Sequence, residues 1–112
     1  MTDLIERLES APDAEQGDLI AETIIFMQAR GFISNVVAAE AHRLVSVGAY
    51  MDAAMTLIPE GWFVRLTEVR FGMWLTELWD GDKSTLIAPD IQLLGGTPAL
   101  ALTAAAMKAR EA

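Results

Sequence analysis

The stretch Pro59-Glu60-Gly61-Trp62-Phe63-Val64-Arg65-Leu66-Thr67-Glu68-Val69-Arg70-Phe71-Gly72-Met73-Trp74-Leu75-Thr76-Glu77-Leu78-Trp79 decides the fold. Pro59 has no backbone donor and biases Ile58 out of the helical region, so it stops the apolar helix before it. Gly61 is free to take a positive φ, and Pro59-Glu60-Gly61 reads as a turn. From there the periodicity becomes two. Trp62, Val64 and Leu66 share one side, and Phe63, Arg65 and Thr67 share the other. After Arg70-Phe71-Gly72 the alternation resumes, with Met73, Leu75 and Trp79 on one side and Trp74, Thr76 and Leu78 on the other. Two aromatic-rich alternating runs joined by a short glycine-containing turn predict a β-hairpin with strands 62–69 and 73–79.

Working toward the C-terminus, Asp80-Gly81-Asp82-Lys83 is a second turn. Residues 86–94 read as a third strand, which Pro89 splits or confines to an edge. Gly95-Gly96-Thr97-Pro98 is a helix boundary: Thr97 caps, and Pro98 occupies the first helical position, where its missing N–H costs nothing. Leu100, Ala104 and Met107 line one face of the helix that follows, beside Ala101 and Ala105. Lys108 and Arg110 fall in its last turn and oppose the helix dipole.

Working toward the N-terminus, a helix from Ser46 or Gly48 to Ile58 is expected to bury Met51, Ala54, Met55 and Ile58 and to expose Asp52 and Thr56. In residues 32–47, Ala38, Ala39 and Ala41 favour a helix capped by Asn35, while Val36 and Val37 leave a short strand open. Upstream, Asp13 and Gln16 stand at capping-box spacing before a helix that runs to about Arg30. Ile20, Ile24 and Met27 form its stripe, widened by Leu19, Ile25 and Phe26, and Gly31 is its stop signal. Leu4, Ile5 and Leu8 predict a two-turn amphipathic helix ended by Ser10-Ala11-Pro12. The fold class is therefore α+β: a small antiparallel sheet, made of the hairpin 62–79 and an edge strand in 86–94, packed by helices on one or both faces.

The chain has 112 residues, which is one domain large enough for a core without staples. It has no cysteine, so no disulfide, thiolate metal site or cysteine nucleophile. The acidic start Met1-Thr2-Asp3-Leu4-Ile5-Glu6 does not read as a secretory signal, and no apolar run is long enough to span a membrane. Net charge is −8, and residues 1–22 carry seven acids (Asp3, Glu6, Glu9, Asp13, Glu15, Asp18, Glu22) against Arg7, a net of −6. Such a surface repels phosphates and anionic lipid, which argues against direct nucleic-acid or membrane binding. The acids keep a hydrophobic chain soluble; the sharper reading is an acidic face that docks a basic partner or imitates nucleic acid.

Chemistry-bearing residues are sparse. His42 is the only histidine, and Glu40 and Arg43 beside it do not make a metal-ligand spacing. Asp80, Asp82 and Asp90 lack the further acids of a calcium loop. Gly95-Gly96-Thr97 lacks the lysine of a phosphate loop and reads as a cap. Glu68 and Glu77, on the two arms of the hairpin, are the one conceivable acid–base pair, and Ser46, His42 and Asp52 show no nucleophile turn. Trp62, Trp74 and Trp79 read as core if both sheet faces are covered; left uncovered, they would anchor an interface.

The second half resembles a family of small phage- and prophage-encoded proteins with a phage α-β-α sandwich domain. The resemblance is carried by Ala49-Tyr50-Met51-Asp52-Ala53-Ala54-Met55, Leu57-Ile58-Pro59-Glu60-Gly61-Trp62, the pair Trp74 and Trp79, and Thr97-Pro98-Ala99-Leu100-Ala101-Leu102. It implies a sandwich architecture and a phage or prophage setting, and it supplies no activity or catalytic residue. The expectation is a non-enzymatic accessory protein of the bacterial host cytoplasm, with no catalytic, cofactor-binding or metal residue, acting through a protein partner or self-association. The alternative is an acidic inhibitor or nucleic-acid mimic that binds a host DNA-binding protein.

Overall fold

The computed structural model describes residues 2–81 and 88–111. Four helices come first: α1 (Thr2–Ser10), α2 (Gln16–Ala29), α3 (Asn35–Ser46) and α4 (Tyr50–Leu57). Strands β1 (Trp62–Arg70), β2 (Met73–Asp80) and β3 (Ile91–Gly95) follow, and helix α5 (Pro98–Glu111) ends the chain. The sheet is antiparallel in the order β1-β2-β3, so the architecture is α+β. The hairpin forms as its alternation demands, one residue longer in each strand, with a bulge between Glu68 and Arg70. Residues 88–90 precede β3, which begins after Pro89; residues 86 and 87 of the expected third strand lie outside the described residues.

α5 is the hub. It packs on β2 and β3 on one side and on α1, α2 and α4 on the others. Encirclement explains why its burial exceeds a single stripe: every residue from Ala99 to Met107 is buried. Alanine on several faces lets three helices and a sheet approach one axis closely. Thr97 caps it as expected, its hydroxyl accepting the Leu100 N–H at 3.0 Å. Gly95 serves the same packing, since a Cβ there would stand 2.5 Å from the Ala101 backbone nitrogen.

The helix ends are built by a shared device. Gly31 and Gly48 take positive φ, and each closes a pair of back-bonds that satisfies the last carbonyls of α2 and α3. Gly31 and Phe32 donate to Gln28 and Met27 at 3.1 and 2.9 Å; Gly48 and Ala49 donate to Val45 and Leu44 at 3.0 and 2.8 Å. Gly48 thus ends α3, and it does not begin α4, which starts at Tyr50. The buried face of α4 is Ala53, Ala54 and Leu57. Of the expected stripe Ala54 is buried, Met51 and Ile58 are half-buried and Met55 is exposed. Asp52 is exposed as expected, while Thr56 is half-buried, its hydroxyl donating to the Ala53 carbonyl at 2.6 Å.

Two caps differ from expectation. Residues 32–47 do contain a helix, but Ser34 caps it, accepting the Val37 N–H at 3.1 Å. Asn35 instead accepts a bond from the Gln28 side chain at 2.9 Å. Asp13 makes no side-chain cap; it opens a 3₁₀ turn, Asp13–Glu15, after Pro12. Gln16 accepts the Thr97 hydroxyl at 3.0 Å across the fold, a long-range bond that no local pattern encodes. On α2, Leu19, Ile20, Ile24 and Met27 are buried and Phe26 partly so, whereas Ile25 is exposed.

Candidate functional site

The register sorts the sheet residues onto two faces. Trp62, Val64, Leu66, Trp74, Thr76, Leu78, Ile91, Leu93 and Gly95 lie on one face, because paired residues of antiparallel strands point the same way. The sheet residues that join the helix core, Trp62, Val64, Leu78, Ile91 and Leu93, all come from it. Trp62 and Trp74 are half-buried here. The opposite face carries Phe63, Arg65, Thr67, Leu75, Glu77, Trp79, Gln92 and Leu94, and none of these joins the core clusters. Trp79 therefore stands apart from the other two tryptophans, on the face turned away from the helices.

That outer face is organised around one carboxylate. Glu77 is 5 % exposed. Arg65, its cross-strand partner, donates from Nε to Glu77 Oε1 at 2.7 Å, with Nη2 also 2.7 Å from the same oxygen. Gln92 on β3 reaches Oε2 at 3.5 Å. The guanidinium also lies over the Trp79 ring, 5.4 Å from its centroid. Trp79 is 9 % exposed, and its indole Nε1 is buried without a hydrogen-bond partner among the described residues. On the same face Phe63 is 55 % exposed and Leu94 is open; farther along the hairpin Val69 is open and Phe71 at the tip is 101 % exposed. No motif in the chain marks the Arg65–Glu77–Trp79 grouping; the signal for it is the hairpin register, which places Arg65 opposite Glu77 and Phe63 opposite Trp79.

The residues singled out for chemistry are not brought together. Glu68 pairs with Trp74 on the helix-side face and Glu77 with Arg65 on the outer face, so the two carboxylates point to opposite sides of the sheet. His42 is half-buried on α3. The Ser46 hydroxyl donates to the Arg43 carbonyl at 2.7 Å, and Asp52 is exposed on α4. Asp90 and Asp80 do meet, but as a backbone bond: the Asp80 N–H donates to Asp90 Oδ2 at 2.8 Å, which ties the start of β3 to the end of β2. Asp82 lies outside the described residues. Among the described residues no three His, Asp or Glu side chains converge in a way that could hold a metal ion.

A cavity of about 430 Å³ opens between the starts of α4 and α5, lined among others by Gln16, Tyr50, Asp52, Thr97 and Pro98. Thr97 is committed twice, donating to Gln16 and accepting from Leu100. Neither His42, Glu68 nor Glu77 lines this cavity.

One ion pair in the acidic segment joins its two main helices. Arg7 bridges α1 to Glu22 on α2, with Nη1–Oε2 at 2.5 Å and Nη2–Oε1 at 3.0 Å. This hydrogen-bonded pair lowers the Glu22 carboxyl below its ordinary 4.5 and raises Arg7, to which the negative fields of Asp3 and Glu15 also contribute. Of the seven N-terminal acids all but Glu9 are exposed. No described helix is long and apolar enough to cross a membrane. No family model matches the chain, and neither does any curated protein or solved structure.

Proposed function

We propose that the chain is a non-enzymatic accessory protein that works by protein–protein contact. The observation that carries this reading is the outer sheet face, against which no helix packs among the described residues and on which Phe63 and Leu94 are open to solvent, together with the fully exposed Phe71 at the hairpin tip. Aromatic groups left exposed are the usual anchors of interfaces. The phage or prophage setting, and with it the cytoplasm of a bacterial host, rests on the resemblance of residues 49–110 alone. The test is affinity capture from infected or lysogenic cells, with wild type compared against a Phe63→Ser, Phe71→Ser double variant. Both positions are exposed, so the fold should survive. A specific partner recovered by wild type and lost by the variant supports the proposal; equal recovery by both refutes it.

The exposure of Asp3, Glu6, Asp13, Glu15, Asp18 and Glu22 favours a second reading, an acidic inhibitor or nucleic-acid mimic. It calls for a basic, DNA-binding partner. Replacing Asp3, Glu15 and Asp18 by their amides should then abolish capture and leave the Phe63, Phe71 variant unaffected, the reverse of the first pattern.

A further inference from the structure

β1 is an edge of the sheet along its whole length: β2 flanks one side, and among the described residues no other element packs along the free side. The direction of its backbone groups follows from one bond. Gly81 donates to the Gly61 carbonyl at 3.2 Å, just outside the open end of the hairpin. Antiparallel pairs alternate between hydrogen-bonded and non-hydrogen-bonded, and the register is unbroken from Trp62–Asp80 to Glu68–Trp74. Phe63, Arg65 and Thr67 therefore bond to β2, and the N–H and C=O groups of Val64, Leu66 and Glu68 point to the free edge. Edges of this kind are templates for another strand unless shortened, bulged or guarded by charged side chains or proline. β1 has nine residues, no Pro and a bulge only near its end at Glu68/Arg70; of its charges, Glu68 and Arg70 lie at that end and Arg65 is paired with Glu77.

We infer that a second copy of this chain occupies the edge, its β1 running antiparallel about a two-fold axis normal to the sheet, so that two three-stranded sheets become one of six strands. This deepens the contact reading above and rests on it. The strand is complementary to itself. With Val64 on the axis, Val64 faces its own equivalent, Phe63 faces Arg65 of the second copy, and Trp62 faces Leu66. These are apolar and cation–aromatic pairs, the kinds that stabilise neighbouring strands. Sliding the axis to Arg65 would set two guanidinium groups directly opposite, which is disfavoured. Long-range charge permits the contact. Residues 62–80 carry Arg65 and Arg70 against Glu68, Glu77 and Asp80, a net of −1, whereas the net −6 of residues 1–22 sits on elements that do not pack against β1.

Val64→Pro separates this interface from others. The Val64 N–H points to the free edge, so proline there removes no β1–β2 bond, and edge strands tolerate it. It does remove the reciprocal pair of bonds at the axis. Sedimentation of the full chain from micromolar to millimolar concentration should show a monomer–dimer equilibrium, weakened about tenfold or more in Val64→Pro. Amide exchange of the wild type gives a readout that needs no variant. The Val64 and Leu66 amides should slow as concentration rises, while those of Arg65 and Thr67, already bonded to β2, should not change. A chain monomeric throughout, or a dimer in which the Val64 and Leu66 amides stay unprotected, overturns the inference. A monomer that still captures a partner through Phe63 and Phe71 would overturn it and leave the contact reading standing.

Discussion

Arg110 ties three parts of the chain to one side chain, and its removal gives the sharpest stability test. From the last turn of α5, its Nε donates to the Leu57 carbonyl at 3.1 Å and its Nη1 to the Phe32 carbonyl at 2.7 Å. Leu57 is the last residue of α4, and Phe32 follows the glycine that ends α2, so the guanidinium caps two helix ends at once. Burial alone lowers its pKa, which shows that the cation is partly stripped of water to be there. Two charge-assisted bonds are worth about 1.5–3 kcal/mol each before that penalty. Water can reach part of the vacated site, so the net loss for Arg110→Ala is about 2–3 kcal/mol. In a chain of this length that lowers the thermal midpoint by about 10 °C, from an unfolding entropy near 2.1 cal/mol/K per residue. Arg110→Lys should recover less than half, because an ammonium is a point donor and not a fork. Urea unfolding followed by circular dichroism measures all three proteins. If Arg110→Ala falls within about 0.5 kcal/mol of wild type, a change typical of unremarkable surface sites, or if lysine restores full stability, the capping role is wrong.

Other outcomes follow from the same geometry. Gly95→Ala should cost about 2 kcal/mol or more, because its Cβ meets the α5 backbone at 2.5 Å and neither partner is a flexible side chain; thermal melts check it, and an unchanged midpoint would contradict the close approach. Arg65→Ala should destabilise by about 1–2 kcal/mol, a figure reduced from that of a fully buried pair because the arginine is largely exposed. Adding Glu77→Gln to that variant should recover part of the loss, since no charge is then left without its cation; denaturation of both variants decides. Glu22, whose folded pKa lies below its ordinary 4.5, adds stability that is fully present above that value and is lost as pH falls through the lower, folded one. Unfolding curves should show a small decline below pH 4.5, muted by high salt and smaller in Glu22→Gln; an identical decline in that variant would assign the effect elsewhere.

The parts of the fold that could be read from the chain are those set by local rules. Alternation in 62–69 and 73–79 made the hairpin, Thr97-Pro98 opened α5, and Gly31 stopped α2, since each depends on neighbours within a few residues. Gln16 and Asn35 misled for the opposite reason. Each has the right side chain for a cap, yet each bonds a distant partner, Thr97 or Gln28, and only packing decides which bond wins. Gly48 misled because a glycine can end a helix or precede one, and the back-bonds that choose between them form only once α3 exists. Of the candidate surface, the three tryptophans were visible, but which of them faced the helices was not.

The chain by itself determined the hairpin and its antiparallel pairing, the opening of α5, the end of α2 and the concentration of acid at its N-terminus, because periodicity, turn residues and charge are properties of short segments. Only the tertiary structure decided that α5 is enclosed on nearly all sides, that the sheet buries the Leu78 face, and that Glu68 and Glu77 part company across it. A strand with apolar groups on both faces does not say which face will be covered. That choice depends on where the helices find room, and here it leaves Phe63 and Trp79 on the side away from them and, among the described residues, β1 with an open edge.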